Sequence, residues 1–466
     1  MLLRSCVWIL AIGLLGSQPS RQRISLLITN AIVVTMDSGG RVIPAGAVAI
    51  DGRDIVAVDT TAEIAKRFTA AESIDAQGQV VMPGLINTHT HAPMVLYRGL
   101  ADDLALMEWL QKYIFPAEAK TVNPEFVRVG TRLAVLEMIR SGTTTYADMY
   151  YFEEEIAKAT REAGVRGVLG QTIIQFPVPD AKTPGDGLAR GIAFVKQFAG
   201  DDIITPALAP HAMYTLDTST LKAIRTAAER ERVPLIIHLA ETRDEVNISN
   251  KQHKASPVQY LESIGFWGNA GSKTAVLAAH AVHVSPADIR ILARRGVGVS
   301  HNPESNMKLA SGTAPVPAMR TAGIPVGLGT DGAASNNDLD MFESMRQAAF
   351  LHKLQSGDPR AIPARTALQM ATREGAHALG LERTIGSLEP GKRADLIVVD
   401  MSSARQTPLY DPISHLVYAT HGDDVRTTIV NGRVLMRDRK VLTLDETAVL
   451  ADAAKQAALV RTAVGK

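Results

Sequence analysis

The middle of the chain alternates between apolar runs and amphipathic segments, and this alternation restricts the fold more than any other feature. Eight apolar runs of strand length occur, and the stretches between them, such as 220–232 and 287–295, have helical periodicity. The runs are residues 84–87, 143–148, 167–174, 203–210, 234–239, 274–281, 296–300 and 325–329. Alternating strands and helices favour a parallel sheet, and eight units predict a closed (β/α)8 TIM barrel over residues 83–383. The alternative, a doubly wound open sheet, does not need eight units, and no G-x-G-x-x-G turn follows the first run.

Both ends of the chain have strand-like patterns instead. These segments are residues 24–36, 48–58, 80–84, 394–400 and 425–435. Asp51-Gly52 and Asn431-Gly432 are typical of tight hairpin turns. The two ends therefore predict one small β-sandwich domain of residues 24–82 and 384–445, with the barrel inserted between them. Residues 446–466 are predicted to form a C-terminal helix.

Charge and cysteine content exclude several classes of protein. The formal net charge is +1 and the chain has no run rich in Lys or Arg, so the sequence gives no support for nucleic-acid binding. Cys6 is the one cysteine, which rules out an internal disulfide and a cysteine-based zinc site. The cytidine-deaminase type of zinc enzyme is excluded as well, because it requires a paired-cysteine motif.

The N-terminus has the pattern of a short secretory signal peptide. Arg4 precedes an apolar run at residues 6–15, and small and polar residues follow at 16–20. We therefore predict a leader over residues 1–23 and export to the periplasm. The alternative is a cytoplasmic protein whose upstream start codon adds a leader without function. The sequence has no apolar stretch after the leader that is long enough to span a membrane.

Polar residues stand at the ends of the predicted barrel strands, where TIM-barrel active sites are built. These residues are His89, His91, His211, His238, Glu241, His280 and Asp331. His89 and His91 are two positions apart, so both imidazoles of an extended strand point to the same side. With His238 and Asp331 they form a suitable shell for one divalent cation that leaves room for water.

Several of these residues also have a simpler interpretation. A lone H-x-H pair is often a surface feature, and Glu241 could be an acidic residue at a helix start. His280 could be a buried core histidine, and His211 a turn residue after Pro210. His301 is a candidate for a supporting or substrate-loop position. The fourth strand ends without a lysine that could bridge two metals, so a single metal ion is predicted.

Five motifs together resemble the amidohydrolase superfamily, in its nucleobase-deaminase and chlorohydrolase branch. The chain is most similar there to the 5-methylthioadenosine/S-adenosylhomocysteine deaminases. The motifs are PGLINTHTH (83–91), HLAET (238–242), SHNPESNMKLASG (300–312), GLGTDGAASNN (327–337) and GSLEPGKRADLIVVD (386–400). The resemblance extends over about the whole chain after the leader.

The resemblance implies roles for individual residues. It makes His89, His91, His238 and Asp331 the ligands of one metal ion, which is zinc in the preferred interpretation and iron or manganese in the alternatives. It makes Glu241 the proton donor to the ring nitrogen, His280 the residue that orients the attacking hydroxide, and Asp331 the acceptor of the proton from water. The resemblance makes Glu108 and His211 substrate-binding residues, and Glu108 corresponds to the position that holds the ribose hydroxyls. Trp109 corresponds to a residue of the pocket wall.

The implied reaction is hydrolytic deamination of S-adenosylhomocysteine, 5-methylthioadenosine or adenosine to the inosine product and ammonia. Members that accept an amino-acid tail need a cation for its carboxylate, whereas the third strand here ends in Gln171 and Thr172. Arg98 or another loop arginine is the candidate substitute. Deamination of guanine or another aminated heterocycle, a triazine-type chlorohydrolase, cyclic-amide hydrolysis and a non-catalytic metal-containing binding protein stay open. The sequence also leaves a homo-oligomeric state open.

Overall fold

The computed structural model describes residues 21–268, 272 and 274–465. Its centre is a closed barrel of eight parallel strands, which confirms the predicted TIM barrel. The barrel strands are β6 (Leu85–Thr90), β7 (Thr143–Tyr150), β8 (Arg166–Ile173), β9 (Ile204–Pro210), β10 (Leu235–Leu239), β11 (Val276–His280), β12 (Gly298–His301) and β13 (Val326–Leu328). Each predicted run overlaps one of these strands, and pairing of Leu328 with Asn87 closes the ring.

A sheet of nine strands from both chain ends forms the small domain. Its strands are β1 (Gln22–Val34), β2 (Val42–Asp51), β3 (Asp54–Thr60), β4 (Phe68–Asp75), β5 (Val80–Pro83), β14 (Leu396–Val399), β15 (Val425–Val430), β16 (Arg433–Arg437) and β17 (Lys440–Val441). Antiparallel pairing of β5 with β14 joins the two ends of the chain. Buried side chains from both ends, among them Ile28, Ile50, Leu396 and Ile429, share one core, as the predicted sandwich requires.

Helices surround the barrel and continue to the C-terminus. They are α1 (Thr61–Arg67), α2 (Leu106–Glu108), α3 (Phe115–Thr121), α4 (Pro124–Ser141), α5 (Glu153–Ala163), α6 (Pro184–Phe198), α7 (Thr218–Glu231), α8 (Arg243–His253), α9 (Pro257–Ser263), α10 (Pro286–Arg295), α11 (Pro303–Lys308), α12 (Val316–Thr321), α13 (Met341–Ser356), α14 (Ala364–Met370), α15 (Arg373–Ala378), α16 (Pro412–Tyr418) and α17 (Glu446–Val464). Short 3-10 turns cover Ala92–Tyr97, Met213–Thr215, Ala404–Gln406 and Gly422–Asp424, and Trp109–Ile114 is a π-helical turn.

The ends of these elements follow from local chemistry. Helix α10 begins after Ser285, whose hydroxyl accepts a hydrogen bond from the backbone N–H of Asp288, with Pro286 in the first turn. It ends at Gly296, which has a left-handed backbone. The predicted hairpin turn at Asn431-Gly432 has positive φ at both residues (52° and 75°), as a tight turn of this kind needs.

The leader over residues 1–23 and the export to the periplasm stay predictions. Residues 1–20, which contain the apolar run of the leader, lie outside the described residues, and β1 begins at Gln22. Within the described ranges, no helix combines the length and the apolar character that crossing a membrane requires.

A buried ion pair connects the barrel to the small domain. Arg166 on β8 is bonded to both carboxylate oxygens of Asp395, at 2.7 and 3.2 Å, and both side chains are almost fully buried. Asp395 also accepts a hydrogen bond from the backbone N–H of Asn431. The pair thus places the β14 end of the small domain against the N-terminal end of a barrel strand.

Replacing one partner of this pair should destabilise the fold. We expect Asp395→Asn to lower the free energy of unfolding by about 3 kcal/mol, because the Arg166 charge stays buried without its counter-ion. Glu72→Gln is the matched control: its carboxylate pairs with Arg437 on the surface, so its loss should cost less than about 1 kcal/mol. Urea unfolding followed by circular dichroism measures the free energy of unfolding of both variants. Equal losses in the two variants would contradict a stabilising role of the buried ion pair.

Candidate metal centre and active site

Four side chains at the C-terminal mouth of the barrel converge on one point. His89 and His91 come from the end of β6, His238 from β10, and Asp331 from the segment that follows β13. Asp331 Oδ1 lies 3.5 Å from His89 Nε2 and 3.3 Å from His91 Nε2. The Nε2 atoms of His91 and His238 are 3.4 Å apart. The structure therefore brings together all four residues that were predicted as metal ligands.

The orientation of two of these rings is set by the backbone. His91 Nδ1 donates to the carbonyl of Met149 at 2.7 Å, and His238 Nδ1 donates to the carbonyl of His211 at 2.8 Å. Each Nε2 therefore carries a free lone pair that points into the cluster, which is the usual arrangement of metal-binding imidazoles. Burial lowers the pKa of His89, His91 and His238, so these rings are neutral and able to act as ligands.

The cluster fits a divalent cation. Both ring nitrogens of His89 are buried without a hydrogen-bond partner in the protein. Buried polar atoms rarely stay unpaired, and lone pairs that face each other at 3.4 Å repel unless a cation lies near them. Three imidazoles and one carboxylate are a donor set that zinc and other borderline divalent metals accept.

Asp331 is held in place by its neighbour Gly332 and by Ser305 on α11. Ser305 Oγ donates to Oδ2 at 2.7 Å, and the backbone N–H of Gly332 donates to Oδ1 at 2.7 Å. Burial alone would raise the pKa of this carboxyl, but His89, His280 and His91 outweigh it and lower that pKa well below its usual range. Asp331 is therefore ionised, as a ligand must be.

Glu241 and His280 lie beside the ligand cluster. His280 Nε2 is 3.8 Å from Glu241 Oε2 and 3.9 Å from Asp331 Oδ2. Its other nitrogen, Nδ1, donates to Asn306 Oδ1 at 2.9 Å, so the ring cannot turn away from the two acids. Burial alone would lower the pKa of His280, but the carboxylates of Glu241 and Asp331 have the larger effect and raise it. Burial raises the pKa of Glu241, which favours its protonated form and suits a proton donor.

Glu245 supports Glu241 from behind. Its carboxylate accepts hydrogen bonds from the backbone N–H groups of Ala240 and Glu241, at 2.8 and 3.0 Å. Ala240 has a left-handed backbone at this bend. Burial raises the pKa of Glu245 to about 7. The sequence analysis missed this residue, although T-x-x-E at 242–245 is the pattern of a helix N-terminus whose glutamate turns back toward the preceding backbone.

A cavity opens over the cluster and receives most of the other predicted residues. His211 and Trp109 line it together with His91, His238, Glu241, His280 and Asp331. Burial lowers the pKa of His211 to about 3, so it is a neutral hydrogen-bonding group. Glu108 is not brought to this cavity: its side chain is 44% exposed and pairs with Lys112 at 2.9 Å. Its role as a substrate contact stays a prediction.

Two other residues from the sequence analysis are placed away from the cavity. Arg98, the candidate partner for an acidic tail, is paired with Glu137 on the outer face. His301 is fully buried, with Nε2 3.2 Å from His352 Nε2, and it packs behind the site rather than into the cavity. Neither side chain belongs to the cavity lining.

Comparison with known proteins shows the family of this chain. The model of the Amidohydrolase family matches residues 80–435, which is more than half of the chain. The chain belongs to the amidohydrolase family. The matched range contains every residue of the cluster and of the cavity described above.

Relatives of this amidohydrolase are similar over nearly their whole length. A 5-methylthioadenosine/S-adenosylhomocysteine deaminase of Syntrophobacter fumaroxidans is 49% identical over 91% of this chain and 95% of its own. A 5'-deoxyadenosine deaminase of Methanosarcina mazei is 48% identical over 93% and 97%. Among solved structures, an adenosine deaminase from Xanthomonas campestris with bound zinc superposes with a TM-score of 0.92, at 39% identity over 95% of this chain and 100% of its own.

The cluster predicts metal binding by this amidohydrolase. We expect the purified protein to hold about one divalent ion per chain and His238→Ala to lose most of it, because one ligand is removed and the others cannot move. His377→Ala, an exposed histidine on α15, is the control and should keep the metal. Elemental analysis gives the metal content; equal metal in both variants would refute the site.

The hydrogen bonds of Glu245 to the backbone of Glu241 and Ala240 predict a loss of kcat when this carboxylate is replaced. In Glu245→Gln one oxygen is replaced by an NH2 group that cannot accept the N–H of Glu241 or Ala240, so the bend that carries Glu241 loosens. We expect kcat to fall by about 10-fold or more while metal content is unchanged. Asp244→Asn, an exposed acid in the same turn, should leave kcat near that of the wild type. Unchanged kcat in Glu245→Gln would show that the two hydrogen bonds do not position Glu241.

Proposed function

We propose that this amidohydrolase hydrolytically deaminates adenine nucleosides, releasing ammonia and the inosine product. The observation that carries the proposal is the position of Glu241: a buried acid with a raised pKa opens on the same cavity as the metal-ligand cluster and His280. A hydrolase that cleaves simple amides has no need to protonate a ring nitrogen. Deamination of an aromatic amidine does need such an acid, because the ring must take up a pair of electrons when water adds.

A divalent ion bound by His89, His91, His238 and Asp331 would lower the pKa of water so that hydroxide is available near neutral pH. Glu241 gives its proton to the ring nitrogen next to the carbon that bears the amine, while oxygen adds to that carbon. His280, fixed by Asn306, is placed to donate a hydrogen bond to the adding oxygen through Nε2.

Asp331 accepts the proton that water loses, and its anchors Ser305 and Gly332 keep the carboxylate in position for this transfer. The exocyclic amine then takes up the proton held by Asp331, the C–N bond breaks and ammonia leaves, while the added hydroxyl gives its proton back to Glu241 and becomes a ring carbonyl. Water supplies the oxygen of that carbonyl, and the proton on the ring nitrogen stays with the product. The site is buried, so these transfers occur with little competition from solvent.

The relatives favour adenine nucleosides over the other candidates. Both curated relatives reported above are named as deaminases of adenine nucleosides, and the zinc-containing structure is named as an adenosine deaminase. His211 lines the cavity as a neutral imidazole, which supports the prediction that it contacts the substrate. Guanine deamination, triazine dechlorination, cyclic-amide hydrolysis and a purely binding role become outcomes of the test.

The test is ammonia release by the metal-loaded enzyme from adenosine, 5'-deoxyadenosine, 5'-methylthioadenosine, S-adenosylhomocysteine and guanine, with chloride release from a chlorotriazine and hydrolysis of a cyclic amide in parallel. We expect turnover of at least one adenine nucleoside, and a fall in kcat of about 100- to 10,000-fold in Glu241→Gln, which cannot give up a proton. Glu63→Gln is the control, because its side chain is half exposed and pairs with Lys66.

Turnover of guanine, the triazine or the cyclic amide alone would move the substrate class away from adenine nucleosides. Metal binding without turnover of any compound would favour a binding protein. Full activity of Glu241→Gln on an adenine nucleoside would contradict the assigned proton donor while leaving the substrate in place.

A further inference from the structure

The end of strand β6, which carries His91, is irregularly paired with its neighbour β7. Asn87 pairs with Tyr146 of β7, and Thr90 pairs with Asp148. Strand β6 thus advances three residues where β7 advances two, so one extra residue of β6 bulges out of the ladder. A bulge changes the direction of side chains but interrupts the hydrogen bonds between the strands. Other contacts must therefore fix the segment that follows the bulge.

The chain turns directly after His91, and a buried side chain of β7 holds this turn. His91 precedes the 3-10 turn Ala92–Tyr97, and its own side chain does not cap the turn. The first N–H of the turn, that of Ala92, donates instead to Asp148 Oδ1 at 2.5 Å. Ala92 and Asp148 are both buried. Without this acceptor the N–H would be a buried donor that lacks a partner, which costs free energy.

Strand β7 thus contacts the His91 segment at two points. The carbonyl of Met149 accepts from His91 Nδ1 at 2.7 Å and fixes the rotation of the ring. The carboxyl of Asp148 fixes the backbone from which that ring extends. The two contacts together keep His91 Nε2 in the cluster, where it lies 3.3 Å from Asp331 Oδ1.

A second buried acid lies beside Asp148 and does not contact the turn. Glu153 is the first residue of α5, and its pKa is raised by burial and by the nearby Asp148. Burial also raises the pKa of Asp148, which favours its neutral form. Asp148 therefore acts on Ala92 chiefly as a hydrogen-bond acceptor. Glu153 shares the burial without that contact, which makes it a matched control.

We propose that Asp148 is a positioning residue of the metal centre: by accepting the N–H of Ala92, it keeps His91 in place to bind the ion. The inference rests on the predicted metal centre, and it does not depend on which compound is the substrate. Loss of this hydrogen bond would let the turn move and weaken metal binding without removing a ligand. Residues that orient metal ligands commonly change metal affinity by about 10- to 100-fold.

The zinc dissociation constant of the purified protein, measured by competition with a chelator, tests the proposal. We expect Asp148→Ala to raise this constant by about 10- to 100-fold. Asp148→Thr should do the same, because its hydroxyl ends one bond short of the Oδ1 position. Threonine also suits a strand, so this variant decides the test if Asp148→Ala does not fold. Asp148→Asn should stay within about 3-fold of the wild type, because its amide oxygen can still accept the N–H of Ala92.

Glu153→Gln is the control for a change among the buried acids, and it should leave the zinc dissociation constant within about 3-fold of the wild type. An equal loss of affinity in Glu153→Gln and Asp148→Ala would overturn the proposal, because the effect would not depend on the contact with the turn. An equal loss in Asp148→Asn would also overturn it, because charge rather than the acceptor would then matter. Unchanged affinity in the folded Ala or Thr variant at position 148 would overturn it directly.

Two further measurements separate positioning of His91 from a contribution to the fold alone. The free energy of unfolding in the presence of chelator reports the fold; a residue that only stabilises the fold would change this value and leave the zinc dissociation constant unchanged. The visible absorption spectrum of the Co²⁺-loaded protein reports the geometry of the ligands. We expect altered bands in Asp148→Ala and wild-type bands in Asp148→Asn. Wild-type bands in Asp148→Ala would overturn the proposal.

The proposals in this article fail in different ways. A wild type that binds no zinc would reject the metal centre and, with it, the role of Asp148. Zinc binding that is lost in His238→Ala but unchanged in Asp148→Ala would reject only the role of Asp148. None of these measurements uses a nucleoside, so absence of deaminase activity would leave them decisive.

Discussion

The convergence of three neutral imidazoles and one carboxylate at the mouth of the barrel is the constraint on which the rest of this structure depends. Without a cation, the lone pairs of His91 and His238 would face each other at 3.4 Å, and His89 would be buried with both nitrogens unpaired. Such an arrangement costs free energy unless a metal offsets it. It persists because backbone carbonyls at Met149 and His211 orient the rings.

Around this centre, each acid is kept in a different state by its surroundings. Asp331 stays ionised because three imidazoles face it, whereas burial raises the pKa of Glu241 and makes it a proton donor. Glu118, across the cavity, shares the burial but contacts a tyrosine rather than a cation. Carboxyl groups of the same chemistry are thus suited to metal binding in one place and to proton transfer in another. The different states of these acids follow from the groups that each carboxyl contacts.

The supporting contacts come from parts of the chain that are distant in sequence. Ser305 and Asn306 lie on α11, which follows β12, yet they hold Asp331 and His280, which come from the ends of other strands. Glu245 fixes the bend that presents Glu241. At the other end of the barrel, Arg166 and Asp395 connect β8 to the small domain through a buried pair. A site of this kind is therefore a property of the whole barrel rather than of one motif.

The sequence by itself determined the barrel, the joining of both chain ends in one sheet and the four predicted metal ligands that the structure brings together. The strand period of two places His89 and His91 on one side, and parallel strands bring His238 and Asp331 to the same edge, so local rules were enough. The tertiary structure decided which acids reach the cavity. Glu108, which we predicted as a substrate contact, pairs with Lys112, whereas Glu118, ten residues later, lines the cavity. Both stand in the long segment between β6 and β7, and the way that segment packs over the mouth depends on contacts with distant residues such as Tyr150, which no local pattern encodes.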